Sequence, residues 1–98
     1  MIDINNLLNR LSGIQRDIAS YIILTMKHKR NHTVELTIDE LSKKFFANRH
    51  VVYTAIGKLG ISEIVQISKP RTGLYRFTLL DSNSFFKVAE VLEGERND

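Results

Sequence analysis

Residues 48–60 read NRHVVYTAIGKLG, and the rest of the chain takes its meaning from this stretch. Val52, Ala55, Ile56 and Leu59 recur at helical spacing and form one apolar stripe. Arg49, His50, Tyr53, Thr54 and Lys58 lie away from that stripe. None is acidic, and each donates a hydrogen bond, offers a ring or carries positive charge. Asn48 suits an N-cap, because its side chain accepts from the free amides of a first turn. Gly60 suits a stop, since glycine readily takes the left-handed conformation that ends helices. The spacing predicts a helix over residues 49–59 with two unlike faces. An ordinary amphipathic helix with a solvated face satisfies the same pattern, so the neighbouring segments must discriminate.

Immediately upstream, Thr37 opens TIDE, with Glu40 in the third position of a capping box. Asp39 and Glu40 also suit the positive end of a helix dipole. Ile38, Leu41 and Phe45 then line one side of a helix of about two turns. Phe46 and Ala47 make the turn into Asn48. Two short capped helices so joined form a helix-turn-helix unit. Phe45, Phe46, Tyr21, Tyr75 and Phe77 are expected to be core aromatics. Thr33 to Leu36 is short and β-branched and reads as a brief strand.

Further upstream, Ser12 and Gln15 form a second capping-box pattern, before a stripe of Ile14, Ile18, Tyr21, Ile22 and Met26 on a helix running to about Lys27. The segment Asp3 to Arg10 carries Ile4, Leu7 and Leu8, with Leu11 following. It is either a short leading helix or an extension of the next one. Downstream of Gly60, Val65 and Ile67 alternate with Gln66 and Ser68, and Tyr75, Phe77 and Leu79 alternate with Arg76 and Thr78. Between these runs lies KPRTG, residues 69–73, a basic turn bracketed by a proline and a glycine, so the segment reads as a β-hairpin with a multi-residue loop. Residues Asp81 to Ser84 offer caps for a last helix carrying Phe85, Ala89 and Leu92, and the terminal ERND reads as frayed.

A chain of 98 residues with 43% hydrophobic content suits one globular domain spanning residues 1–98. Residues 1–12 read as an N-terminal extension and residues 82–98 as a C-terminal helix. The absence of cysteine excludes disulfides and thiolate metal sites, and fits a cytoplasmic location. No apolar run is long enough to span a membrane, and MIDINNLLNR lacks the basic start and apolar block of a signal peptide. The net charge of +3 is unevenly spread: zero over residues 1–26, +6 over 27–76 and −3 over 77–98. A basic middle with an acidic tail is the footprint of one surface that meets a polyanion, and an anionic membrane satisfies the charge as well, so the shape of the segment decides. A helix anchored by aliphatics and showing Arg, His, Tyr, Thr and Lys suits the major groove of DNA.

The order is helix, short strand, helix, helix, strand, basic loop, strand, helix, which is mainly α with a small β-hairpin (α+β). This arrangement resembles the winged helix-turn-helix family of DNA-binding domains over roughly Ile14 to Leu80. The motifs that carry it are TIDELSKKF, the turn, the aliphatics Val52, Ile56 and Leu59, and the hairpin VQISKPRTGLYRFTLL. Gly60 follows Leu59 at once, whereas family members usually continue several residues further.

The resemblance implies double-stranded DNA as partner, bound by recognition helix 49–59 in the major groove and by wing 69–73 in the minor groove or on the backbone. Arg49, His50, Tyr53 and Thr54 then face the groove. Lys58, Lys43 and Lys44 reach phosphate, and Arg71 leads the wing with Lys69, Thr72 and Arg76 beside it. The adjacent rings of Phe85 and Phe86 point to a homodimer, for which the stripe Ile4, Leu7, Leu8 and Leu11 is a second candidate. A small transcriptional regulator is the expected role. A plasmid partition or replication factor and a winged protein-interaction module are the alternatives. Enzyme chemistry is not expected. His28 and His32, four apart, lie in a basic segment with Glu35 as the one nearby carboxylate, and Asp39 and Glu40 serve as caps. No cofactor or metal is expected.

Overall fold

The computed structural model describes residues 4–96. Asp3, where the leading segment begins, and Asn97 and Asp98 of the ERND end lie outside the described residues. The elements run α1 (Ile4–Asn9), α2 (Gly13–Lys29), β1 (Thr33–Thr37), α3 (Ile38–Phe45), α4 (Arg49–Gly57), β2 (Val65–Arg71), β3 (Leu74–Leu79) and α5 (Ser82–Arg96). The fold is α+β, with a three-stranded antiparallel sheet ordered β1-β3-β2.

Helix α2 is the post around which the rest packs. Ile18, Ala19, Ile22, Ile23, Leu24 and Met26 are all buried, because α5, α4, β1 and α3 approach it from different sides. The single stripe read from the sequence is therefore too narrow: Ile18, Ile22 and Met26 are buried, while Ile14 and Tyr21 are half-buried at its margins. Leu7, Leu8 and Leu11 of the leading segment are also buried in the chain's own core, and α1 is a separate helix packed on α5. That overturns this stripe as a dimer surface.

The caps divide. Thr37 Oγ1 accepts from Glu40 N at 3.0 Å, and Asn48 Oδ1 accepts from Val51 N at 2.8 Å. Asp81 Oδ1 likewise accepts from Ser84 N at 3.2 Å to open α5. Ser12, expected to cap α2, makes no side-chain cap bond, and Gly13 enters the helix at φ +56. Arg16 takes over this corner. Its Nη1 donates to the Leu8 and Leu11 carbonyls at 2.9 and 3.1 Å, serving acceptors left over where α1 ends. The same guanidinium pairs with Glu95 of α5.

The sheet follows the predicted alternation. Val34 pairs with Phe77 and Leu36 with Tyr75 on the core face, while Glu35 pairs with Arg76 on the outer face. Val65 and Ile67 oppose Leu79 and Phe77 from the other side. Between Ser68 and Arg71 the register shifts, so β2 carries an extra residue there. Pro70 lies in this bulge, where a missing N–H costs no ladder bond. Strand β2 consequently runs through Arg71, and the turn shrinks to Thr72 and Gly73, with Gly73 at φ +81. The five-residue loop expected over 69–73 is thus a tight turn.

Helix α5 docks on α2 through buried Phe85, Val88, Ala89 and Leu92 and through charge. Lys27 Nζ and His28 Nε2 meet Glu93 at 3.1 and 3.0 Å. Bonds from His28 and Lys27 lower the Glu93 pKa, and the bond from Arg16 lowers that of Glu95. A carboxylate lowered on folding contributes stability above its ordinary value and loses it as pH falls through the folded value. Melting curves between about pH 3 and pH 7 should therefore show wild type falling faster on the acid side than a Glu93→Gln/Glu95→Gln variant. Wild type should be the more stable at neutral pH, with the gap closing in acid. Parallel curves would refute the two carboxylates as the source.

Candidate nucleic-acid interface

The predicted face of α4 forms, with adjustments at its end. Val52, Ala55, Ile56 and Leu59 are all buried. Burial of the three larger side chains stabilises by about 1.5–3 kcal/mol each, before the entropic cost, and that fixes the helix rotation. His50, Thr54 and Lys58 are then exposed and Tyr53 half-buried. The helix stops at Gly57, two residues short of the expected end. Lys58 is its C-cap, with Lys58 N bonding to Ala55 O at 3.1 Å and Leu59 N to Ile56 O at 3.3 Å. These i→i−3 bonds tighten the last turn as the helix ends, and Leu59 still reaches the core. Gly60, at φ +67, turns the chain toward Ile61 and Ile64, both fully buried.

Arg49 and Tyr53 of α4 line one shallow cavity of about 380 Å³ together with Asp39 of α3 and Arg71 and Thr72 of the hairpin turn. The helix and the turn therefore open onto the same side of the molecule. Arg49 Nη2 pairs with Asp39 Oδ1, a partner that sequence reasoning had assigned only to capping. Both side chains are more than half exposed, and such pairs contribute about 0–1 kcal/mol. The pair thus holds the guanidinium in place without locking it.

Lys69, exposed on β2, lies over two rings. Its ammonium lies 4.8 Å from the Tyr53 ring centre and 5.8 Å from that of Tyr75, while the two rings sit 5.9 Å apart. This stack joins β2, β3 and α4. Burial is the main cause that raises the Tyr75 pKa, with Tyr53 adding to it.

Other predicted residues scatter. His50 and Thr54 face a second recess flanked by Ile14 and Gln15 of α2, so Gln15, missed as a surface residue, borders the helix there. Lys43 is exposed on α3. Lys44 turns to the α2 flank, where its ammonium sits 5.0 Å from the Tyr21 ring centre. Arg76 lies mid-strand and binds Glu35 at 2.8 Å, so it is not beside the turn tip as expected. Phe46 is the largest departure. Expected in the core, it is 97% exposed. The turn places it in the left-handed region, φ 52 and ψ 43, and directs its ring outward. Of the paired rings, Phe85 is buried and Phe86 is 52% exposed.

No three His, Asp or Glu side chains gather as a metal set among the described residues. His28, read with His32 as a candidate pair, is engaged by Glu93 instead. No described helix is long and apolar enough to cross a membrane.

Gly57 lies in α4 with open space where a Cβ would stand and an ordinary helical φ. Gly57→Ala should therefore raise stability by about 0.5–1 kcal/mol, read from denaturant midpoints. A destabilised variant would mean that the helix does not extend through this position. Comparison with protein-family models, curated proteins and solved structures finds no match for this chain.

Proposed function

We propose that the chain is a winged helix-turn-helix protein that binds double-stranded DNA sequence-specifically. Helix α4 is the recognition helix, and the β2–β3 hairpin is the wing. The observation that carries this reading is the shared opening of Arg49, Tyr53, Arg71 and Thr72 on one side of the molecule. Support comes from the charge: residues 41–62, which include all of α4, contain no acid.

The roles follow from reach and chemistry. Arg49 presents a planar pair of donors, the group suited to the acceptor edge of guanine. His50 and Thr54 read beside it, and Val51, exposed on the same helix, meets a thymine methyl. Lys58, Lys43 and Lys69 contribute charge toward phosphate, which positions without specifying. Arg71 enters the adjacent minor groove or lies on its backbone. Arg76, paired with Glu35 in mid-sheet, lies away from the opening that Arg49 and Arg71 share and is given no contact in this reading. In this reading Phe86 forms the homodimer seam, and the protein is a small cytoplasmic regulator acting by occupancy of its site.

Fluorescence anisotropy with labelled duplexes across a salt series tests the proposal. Affinity should fall steeply as salt rises, because phosphate contacts release counterions. Arg49→Ala should cost about 1–3 kcal/mol on the preferred sequence and relax preference at one base pair. Arg71→Ala should weaken all duplexes alike and reduce the salt slope by about 1. Binding that is indifferent to salt and to both substitutions overturns the reading.

A further inference from the structure

Phe46 is held in two unfavourable states at once. Its backbone is left-handed, a conformation in which a Cβ crowds the following carbonyl. Its ring is 97% exposed, against 38–55% for the other exposed large apolar side chains, Val51, Leu80, Phe86 and Val91. Arg30 is the other non-glycine residue with positive φ among the described residues, but it is a solvated charge, which needs no apolar cover.

The turn that presents Phe46 is firmly bonded. The amides of Phe46 and Ala47 both donate to the Ser42 carbonyl, and the Ser42 hydroxyl donates to the Ala47 carbonyl. Asn48 then caps α4. The ring is therefore directed outward by a built turn. Around it in the chain stand Lys43, Lys44, Arg49 and His50, with no acid between Leu41 and Ser62. Arg49 meets the Asp39 carboxylate and Lys44 lies over the Tyr21 ring, so among the described residues Lys43 and His50 are left as the unpaired polar neighbours in the chain. An apolar ring flanked by donors and cations in this way complements a partner that offers apolar faces between anionic groups.

We infer that Phe46 is a contact residue that packs against the deoxyribose faces of the DNA backbone beside the groove entered by α4. Sugar C–H faces are the apolar surface that an intact duplex shows between its phosphates, so no base need be unstacked. The contact supplies a part of the affinity that carries no charge and releases no counterion. This inference rests on the duplex-binding reading and adds to it an apolar, salt-independent anchor at the N-terminal end of α4.

The test pairs Phe46→Asn with Phe46→Leu in the full chain. Asparagine tolerates the left-handed region better than phenylalanine, so the Phe46→Asn thermal midpoint should equal or exceed that of wild type. Its affinity for duplex should drop about tenfold, the scale expected when part of an apolar side chain loses its cover. The slope of log affinity against log salt should stay that of wild type, because no phosphate contact is lost. Phe46→Leu should retain most of the affinity. Wild-type affinity in Phe46→Asn overturns the inference, as does a lowered midpoint, which would mean a structural role for the ring. Failure of wild type itself to bind any duplex would instead remove the reading on which the inference stands.

Discussion

One backbone hydrogen bond governs where the surface residues fall: Ile38 N donates to Gly73 O at 2.8 Å. Strand β1 ends at Thr37 and α3 begins at Ile38 with no residue between them. Thr37 thus pairs with Leu74 in the sheet while its hydroxyl caps α3. The bond from the next amide pins the hairpin turn to the start of that helix. Since α3 packs on α4, the turn that carries Arg71 and Thr72 has to lie beside Arg49 and Tyr53. Gly73 makes the arrangement possible by its conformation, φ +81. An added Cβ would meet Ile38 Cγ2 only at an ordinary 3.8 Å.

Around that junction, packing and charge have separate tasks. The buried aliphatics of α2, α4 and α5 set the positions of the helices, and no buried polar or charged side chain interrupts them among the described residues. The ion pairs are all at least partly exposed, where each contributes little. Much of the charge asymmetry along the chain is spent internally: Lys27 and His28 meet Glu93, Arg16 meets Glu95, and Arg76 meets Glu35. Among the described residues, Lys43 on α3, Lys58 at the α4 C-cap, and Lys69 and Arg71 on β2 are exposed and left without an ion pair.

Local signals were legible in the sequence. The α4 stripe, the Thr37 and Asn48 caps and the alternation in β2 and β3 depend on residues within a few positions of each other, and the structure repeats them. The features that were not legible depend on distant partners or on competition. Ser12 makes no cap bond to the first turn of α2, and Arg16 serves different groups there, the Leu8 and Leu11 carbonyls left over where α1 ends. The helix ended at Gly57, before the better-known signal at Gly60, where the i→i−3 bonds of Lys58 and Leu59 replace the helical ladder. The bulge at Pro70 converted a loop into strand. Asp39, with an adequate local explanation as a first-turn acid, concealed a second contact with Arg49. Aromatic type alone placed Phe46 in the core, although the turn after Phe45 demanded a left-handed residue there. With neither glycine nor asparagine at position 46, the residues themselves gave no sign of that conformation.

The same geometry separates two kinds of contact under the duplex reading. Tyr53 is braced by Tyr75 and by the Lys69 ammonium, while Arg49 has a weak, exposed partner in Asp39, so on this reading the ring is the better ordered of the two α4 side chains. Base-edge contacts need preorganisation, because a bidentate bond fails when its donors are misaligned. Arg71 lies beyond the bulge, exposed and without an ion pair among the described residues. Attraction between a guanidinium and phosphates falls off slowly with distance and tolerates many rotamers. Under the proposed duplex binding, a helix set by its buried stripe beside a loosely held cation would divide the labour: the helix would supply discrimination, while the turn would supply charge that no single geometry is required to deliver.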